Sequence, residues 1–384
     1  MIAWFRYICL IVSLIITMPE LLSAQRLVSQ RQEDVEAGLL YNESVYILSN
    51  YSCLSSNSPE KLSLDELLRK QIEGFYFYLK RDTETNVLLL RKPDGTFTPF
   101  SESLEAIKTA LDADSTKVMT LFLDFYVETE LESSFKEIGL MEYVLEYDTK
   151  NGWPSLKDML SSGKRLVVFE VQKHLNSPSW LHNMRDFVEH TDADWGNQPE
   201  GVESFDERLK KNLSLFTGYK FLETSRGNSN DISALARQTP YLIESFKRAW
   251  IRDGRVPNFI LVDKYYAWLD VSLVTFRNFD IIYGAVTNNN ELLNYVNWDG
   301  MSNYTTGKYC FPLEPGAELM LSPISPGYRI EPATVYVSGT QRKAFASDFK
   351  ARPLRIDEDI EIYLPFEGDE KDGSSNHNLT VSRN

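Results

Sequence analysis

Cysteine is scarce in this 384-residue chain: there are three, and one of them, Cys9, lies inside an apolar N-terminal run. The remaining pair, Cys53 and Cys310, is far apart in sequence. That excludes a disulfide-framework architecture and reads as two separate buried thiols. Positive charge is also in short supply, with 40 Lys and Arg against 55 Asp and Glu, a net charge of -15. An acidic surface repels phosphate backbones and anionic bilayers, so nucleic acid is excluded as a partner and membrane contact is transient at most. Long apolar runs are missing too. The N-terminal run over residues 7–18 is too short for a comfortable bilayer span. Arg6 precedes it and Ser23 and Ala24 follow it, which makes residues 1–24 a secretory signal peptide and the mature chain secreted or periplasmic. Histidine is absent from residues 1–173; the four present are His174, His182, His190 and His377.

What is present is material for a large core, 43% hydrophobic and 12% aromatic. Short apolar runs at 44–48, 75–79, 87–90, 118–126, 165–171, 219–222 and 259–262 read as strands. Two of them, VMTLFLDFYV and RLVVFEV, are continuously hydrophobic, as strands buried on both faces are. Helical patterns fall between them at 62–72, 104–111, 130–139, 155–162 and 231–252. This alternation predicts an α/β fold, a β/α barrel or a doubly wound sheet. Past residue 293 no helix pattern follows, and strand-like ATVYVSG and IDEDIEIYLPF lie among Pro and Gly. A barrel over 25–290, a small all-β module over 298–366 and a disordered tail over 367–384 are expected.

Five segments in order, YNESVYILSNYS, QIEGFYFYLKRD, TLFLDFYV, GWPSLKDMLSSGKRLVVFE and PNFILVDKYYAWLD, resemble the secreted, Ca-dependent-type branch of the phosphatidylinositol-specific phospholipase C-like phosphodiesterases. The resemblance covers about residues 40–280 and implies a distorted TIM-like β/α barrel. It also implies phosphodiester cleavage by two histidines, one taking a proton from the attacking hydroxyl and one protonating the leaving oxygen. Imidazole suits both tasks because it titrates near working pH. Here the first of those histidines is replaced by Asn50, and the second falls near Arg91 in LLLRKPDG. Asparagine is no base, and arginine stays protonated. The family's calcium shell is degraded in the same way. Tyr51 stands where an asparagine ligand would be, and Lys80 or Arg81 replaces an acidic ligand, leaving Asp124 at a glutamate position. Calcium wants six to eight oxygens, so no metal or other cofactor is expected.

Lys80, Arg81 and Arg91 are candidates for an anion pocket at the barrel mouth; ordinary pairing with Asp82, Glu84 or Asp94 is the alternative. Asp124, Glu170 and Asp263 are candidate pocket carboxylates, with capping or local salt bridges as the plainer role for the last two. His174, His182 and His190 fall in a stretch read as a solvated, partly aromatic helix. The expectation is a pseudoenzyme that keeps the scaffold and binds an anionic small molecule or lipid headgroup. Two alternatives stay open: an active phosphoric diester hydrolase with an acid/base pair rebuilt from Asp124, Glu170 or Asp263, and an interaction protein working through the β module.

Overall fold

The computed structural model describes residues 31–49, 51–53, 63–69, 72–125, 131–172, 174, 177–192, 215–219, 247, 250–251, 256, 258–262, 277–301, 304–305, 307–339 and 342–355. They divide into two units, one running to Ala249 and taking in Val256–Phe279, the other comprising Trp250–Arg255 and everything from Asp280 onward.

The first unit is built on buried strands. β1 (Tyr46–Ser49) is covered along its whole length. β2 (Gly74–Arg81) is followed by the short β3 (Leu88–Arg91) and β4 (Phe97–Pro99). The two most hydrophobic runs form β5 (Met119–Asp124), buried up to Asp124, and β6 (Leu166–Glu170), buried throughout. Three more short strands follow, β7 (Leu181–Asn183), β8 (Val188–Asp192) and β9 (Leu215–Tyr219), and then β10 (Phe259–Val262). The parallel strands lie in the order β7-β6-β5-β2-β1-β10-β9-β8. Read as a ring, this is chain order, with β1 parallel to β10 as the first and last strands of a barrel must be. The two ends of the sheet, β7 and β8, are consecutive in the chain and separated only by α6 (Met184–Phe187). One strand broken by a helical turn therefore spans the gap, and this is the distortion in the expected β/α barrel.

Gly74 shows how tightly the ring is drawn. A Cβ there would lie 2.1 Å from the Thr120 carbonyl oxygen and 2.5 Å from Leu48 Cδ2, on the two neighbouring strands. Helices cover the outside. α1 spans 31–36, α2 Leu64–Arg69 and α3 Phe100–Ala113. α3 buries Phe100, Leu104, Ile107 and Leu111, one helical stripe. α4 (Leu131–Ile138) follows. α5 (Leu156–Ser162) starts at Ser155, whose hydroxyl accepts from the Asp158 N–H at 3.1 Å, and stops at Gly163 with φ 74°.

Two expectations are corrected here. The 87–90 run is no barrel strand: β3 pairs antiparallel with β2 and β4 with β3, a three-stranded ribbon. Its turn is set by Asp82, whose carboxylate accepts from the Glu84 and Thr85 N–H groups at 2.8 and 3.1 Å, and by Asn86 at φ 61°. The 174–190 stretch is not a helix either, but the β7–α6–β8 segment, with His182 buried on β7.

At the amino ends of the strands a charged cluster is buried. Glu73 is bonded to Arg31 and lies 2.9 Å from Arg277 Nη2, and it accepts from the Ile47 N–H at 3.3 Å. Arg31 also stands 3.5 Å from Asp34 and over the Tyr46 ring at 4.8 Å.

The second unit is all β among its described residues from Asp280 on. Its central strand β11 (Asp280–Asn288) pairs with β15 (Lys308–Leu313), β20 (Lys343–Pro353) and the short β12 (Glu291–Leu292). β13 (Val296–Trp298) lies between β14 (Tyr304–Thr305) and β17 (Pro323–Ile324). β16 (Glu318–Leu321) pairs with β19 (Val335–Ser338), and β18 (Tyr328–Glu331) with β20. Trp298 centres the core, edge-on to Tyr309 and Phe311, its indole N–H on the Thr305 hydroxyl at 2.8 Å. The boundary thus falls at Phe279 and Asp280, earlier than residue 290, because the apolar run DIIYGAV pairs within this unit. Cys310 is buried here as a thiol, beneath the Trp250 indole N–H; the Cys53 side chain lies outside the described residues. The expected strand at 356–366 and the tail at 367–384 also lie outside them. Among the described residues no helix is long and apolar enough to cross a membrane.

Candidate functional site

The carboxyl ends of β1, β2, β5 and β6 gather most of the side chains that carry chemistry in the first unit. Each arrives there because a strand ends on it: Asp124 closes β5 and Glu170 closes β6. Asn50, just past β1, and Asp263, just past β10, lie outside the described residues.

Tyr51 turns inward. It is buried edge-on against Phe75 and Phe77, and that burial, with Asp94 and Asp65 adding to it, pushes its phenol up to about 12. The next residue, Ser52, stitches this turn to the ribbon. Its hydroxyl accepts from the Tyr78 N–H at 2.8 Å and donates to the Arg91 carbonyl at 3.0 Å. The turn after Asn50 and the end of β3 at Arg91 are therefore adjacent.

The three cations do not converge. Successive strand residues point to opposite faces, so Lys80 and Arg81 part company. Lys80 is exposed, its Nζ 3.7 Å from the centroid of Phe97. Arg91, exposed and in register with Phe97, shares that face. Arg81 is half-buried on the other, opposite Leu88.

Asp124 has both oxygens engaged. Oδ2 accepts from the Tyr76 hydroxyl at 2.7 Å and Oδ1 from the Gln172 amide at 3.3 Å. Glu170 is 1% exposed and accepts from three donors: Ser177 Oγ at 2.6 Å, His174 Nδ1 at 2.9 Å and Asn183 Nδ2 at 3.2 Å. Because a carboxylate only accepts, Nδ1 of His174 is the donor in this bond, and Nε2 is left on the far side of the ring. The imidazole is held flat on Phe125, with centroids 4.4 Å apart. This is an oriented His–carboxylate pair that the sequence reading missed. The signal was there as Glu170-x-x-x-His174, but His174 was grouped with the histidines that follow it. Tyr76 and Gln172 were missed as well, having no pattern to mark them. Among the described residues no group of three or more His, Cys, Asp or Glu is placed to hold a metal.

A family model described as PI-PLC X 1 matches residues 90–199. Over that span the chain is PI-PLC-like. Arg91, Asp124, Glu170 and His174 fall inside the matched span; Asn50, Tyr51, Lys80, Arg81 and Asp263 fall outside it. No curated protein matches the sequence. Among solved structures, the phosphatidylinositol-specific phospholipase C from Listeria monocytogenes aligns at 12% identity and TM-score 0.42, over 64% of this PI-PLC-like chain and 98% of its own. A Staphylococcus aureus phosphatidylinositol-specific phospholipase C aligns at 13% identity and TM-score 0.38, over 62% and 97%. PLC21 of L. pealei aligns at 11% identity and TM-score 0.35, over 60% of this chain and 32% of that one.

Proposed function

We propose that this PI-PLC-like chain is an exported pseudoenzyme whose barrel mouth binds an anionic, phosphate-bearing small molecule or lipid headgroup. The observation that carries the proposal is the pair of substitutions at the two imidazole positions. Asn50 and Arg91 can neither accept nor relay a proton at neutral pH, and Ser52 pins the Arg91 backbone beside the turn that follows Asn50. Lys80 and Arg91, sharing the Phe97 face, supply the cations that a phosphate would meet. Export rests on the N-terminal signal pattern.

The test combines turnover and binding on the mature chain. Phosphatidylinositol and glycerophosphoinositol are expected to give no hydrolysis above blank. Inositol 1-phosphate is expected to raise the melting temperature, because a ligand of the native state stabilises it. Changing Lys80 and Arg91 together to Gln should abolish that rise. A melting temperature that inositol 1-phosphate leaves unmoved sinks the binding proposal.

A second reading, an active diester hydrolase with a rebuilt base, is favoured by one observation: the imidazole of His174, oriented by buried Glu170. Hydrolysis that disappears in His174→Gln would establish it and overturn the pseudoenzyme reading.

A further inference from the structure

The β unit carries a cavity of about 450 Å³, remote in sequence from every residue of the barrel mouth. Local structure fixes its walls. One wall is the β11–β12 hairpin, where Asn288 faces Glu291 across a turn that puts Asn289 and Asn290 at φ 50° and 69°. A second is the turn at Pro326, closed by the Tyr328 N–H on the Ser325 carbonyl at 3.1 Å, with Gly327 at φ 79°. The third is the segment holding Asn294 and Tyr295. The Ser325 hydroxyl donates to the Tyr295 carbonyl at 2.8 Å and ties the second wall to the third. Beneath them Leu293 is buried in the unit's core.

The lining has a distinct chemistry. Two phenol rings, Tyr295 and Tyr328, stand with the amides of Asn288 and Asn294 and the carboxylate of Glu291. Among the described residues no lysine, arginine or histidine lines the cavity. An anion would meet Glu291 with no counter-charge, which disfavours phosphate. A divalent cation would meet a single carboxylate, too few oxygens for a calcium site. A purely apolar ligand would strip water from two amides and a carboxylate and return no hydrogen bonds. What remains is a neutral polyhydroxylated ligand with one apolar face. Its hydroxyls suit amides that both donate and accept, and its C–H face suits a tyrosine ring. Tyr295 is 42% exposed and Leu292 50% exposed at the rim, so apolar surface is already presented to solvent there. The volume is within the roughly 300–1,000 Å³ range of small-molecule sites and suits one or two sugar rings.

We infer that this cavity is a carbohydrate-binding site, separate in chemistry from the anion-binding barrel mouth. Tyr295 provides the stacking platform, and Asn288, Asn294 and Glu291 take the hydroxyls. The preformed walls reduce the ordering cost, so a shallow cavity gives affinity of about millimolar for a disaccharide.

The test titrates the full mature chain with cellobiose, maltose, lactose and N,N'-diacetylchitobiose. In parallel, sedimentation with insoluble cellulose and chitin separates a free sugar from a surface glycan. At least one saccharide is expected to bind, with a tenfold or greater loss in Tyr295→Ala and in Asn288→Ala and retention in Tyr295→Phe. Because Tyr295 is partly exposed, both of its variants should keep the wild-type melting temperature. The Lys80 and Arg91 double change should leave saccharide binding intact, so failure here and failure of the barrel proposal are separately visible. Absence of binding to every saccharide, or binding that survives Tyr295→Ala, overturns the inference. So does loss of the inositol 1-phosphate response in Tyr295→Ala.

Discussion

At the amino ends of the barrel strands Glu73 meets two arginines, Arg31 and Arg277, with Asp34 close by. At the carboxyl ends Asp124 and Glu170 meet neither arginine nor lysine among the described residues. Tyr76, Gln172, His174, Ser177 and Asn183 satisfy them instead. Both ends bury acidic groups, but only one neutralises them. A carboxylate between two buried guanidiniums is a structural lock, since removing it takes from both arginines the anion they share. A carboxylate met by hydroxyl, amide and imidazole donors is not locked in that way, and it can orient an imidazole or a ligand. The amino end therefore closes the barrel, and the carboxyl end is left with chemistry.

The largest expected effect breaks the lock. Glu73→Gln keeps the volume but removes the anion that buried Arg31 and Arg277 share, leaving Asp34 beside Arg31, and should cost about 3–5 kcal/mol in urea unfolding. Glu170→Gln, equally conservative in shape, disturbs three hydrogen bonds but strands no arginine, and should cost roughly 1–2 kcal/mol. The contrast between the two ends depends on that order. If Glu170→Gln proves the more damaging, the carboxyl-end carboxylate is the structural one and the comparison is wrong.

The same contrast explains what was legible in the sequence. β5 and β6 could be read directly, because strands covered on both faces leave unbroken apolar runs. The run before Arg91 looked similar and was misplaced. Apolar content does not tell a barrel strand from a ribbon strand, and the information lay in the Asp82 turn instead. His182, Asp186 and His190 recur at helical spacing, yet they straddle the β7–α6–β8 break, where the pairings of β6 and β9 override local periodicity. The unit boundary was set too late because β11 is as apolar as a barrel strand and only its partners distinguish it. At the site, Asp124 was singled out by the resemblance and Glu170 because a strand ends on it. Tyr76 and Gln172 were not, since a hydrogen bond between residues 48 apart leaves no mark on either neighbourhood. The buried lock was invisible for the same reason: Arg31, Glu73 and Arg277 come from three distant stretches.

The smallest expected effect concerns a group that belongs to neither end. His182 on β7 is buried beside Trp153, Phe169 and Phe187, and its Nε2–H donates to the Leu145 carbonyl at 3.1 Å. Burial pushes its pKa below the ordinary 6.5, outweighing the hydrogen bond to Leu145 and the nearby charge of Glu146, which act the other way. A depressed pKa means that the folded chain holds fewer protons than the unfolded one as the solution acidifies. Stability from this group is therefore complete above the unfolded value and is lost as pH falls through and below it. The urea midpoint of the wild type should drop between about pH 7 and 5, and part of that drop should vanish in His182→Gln, whose amide still reaches Leu145 but does not titrate there. Identical slopes for the two proteins would mean that the imidazole is solvated enough to protonate in place. β7 would then be as open as the solvated helix that the sequence suggested, and the closure of the barrel through this broken strand would have to be given up.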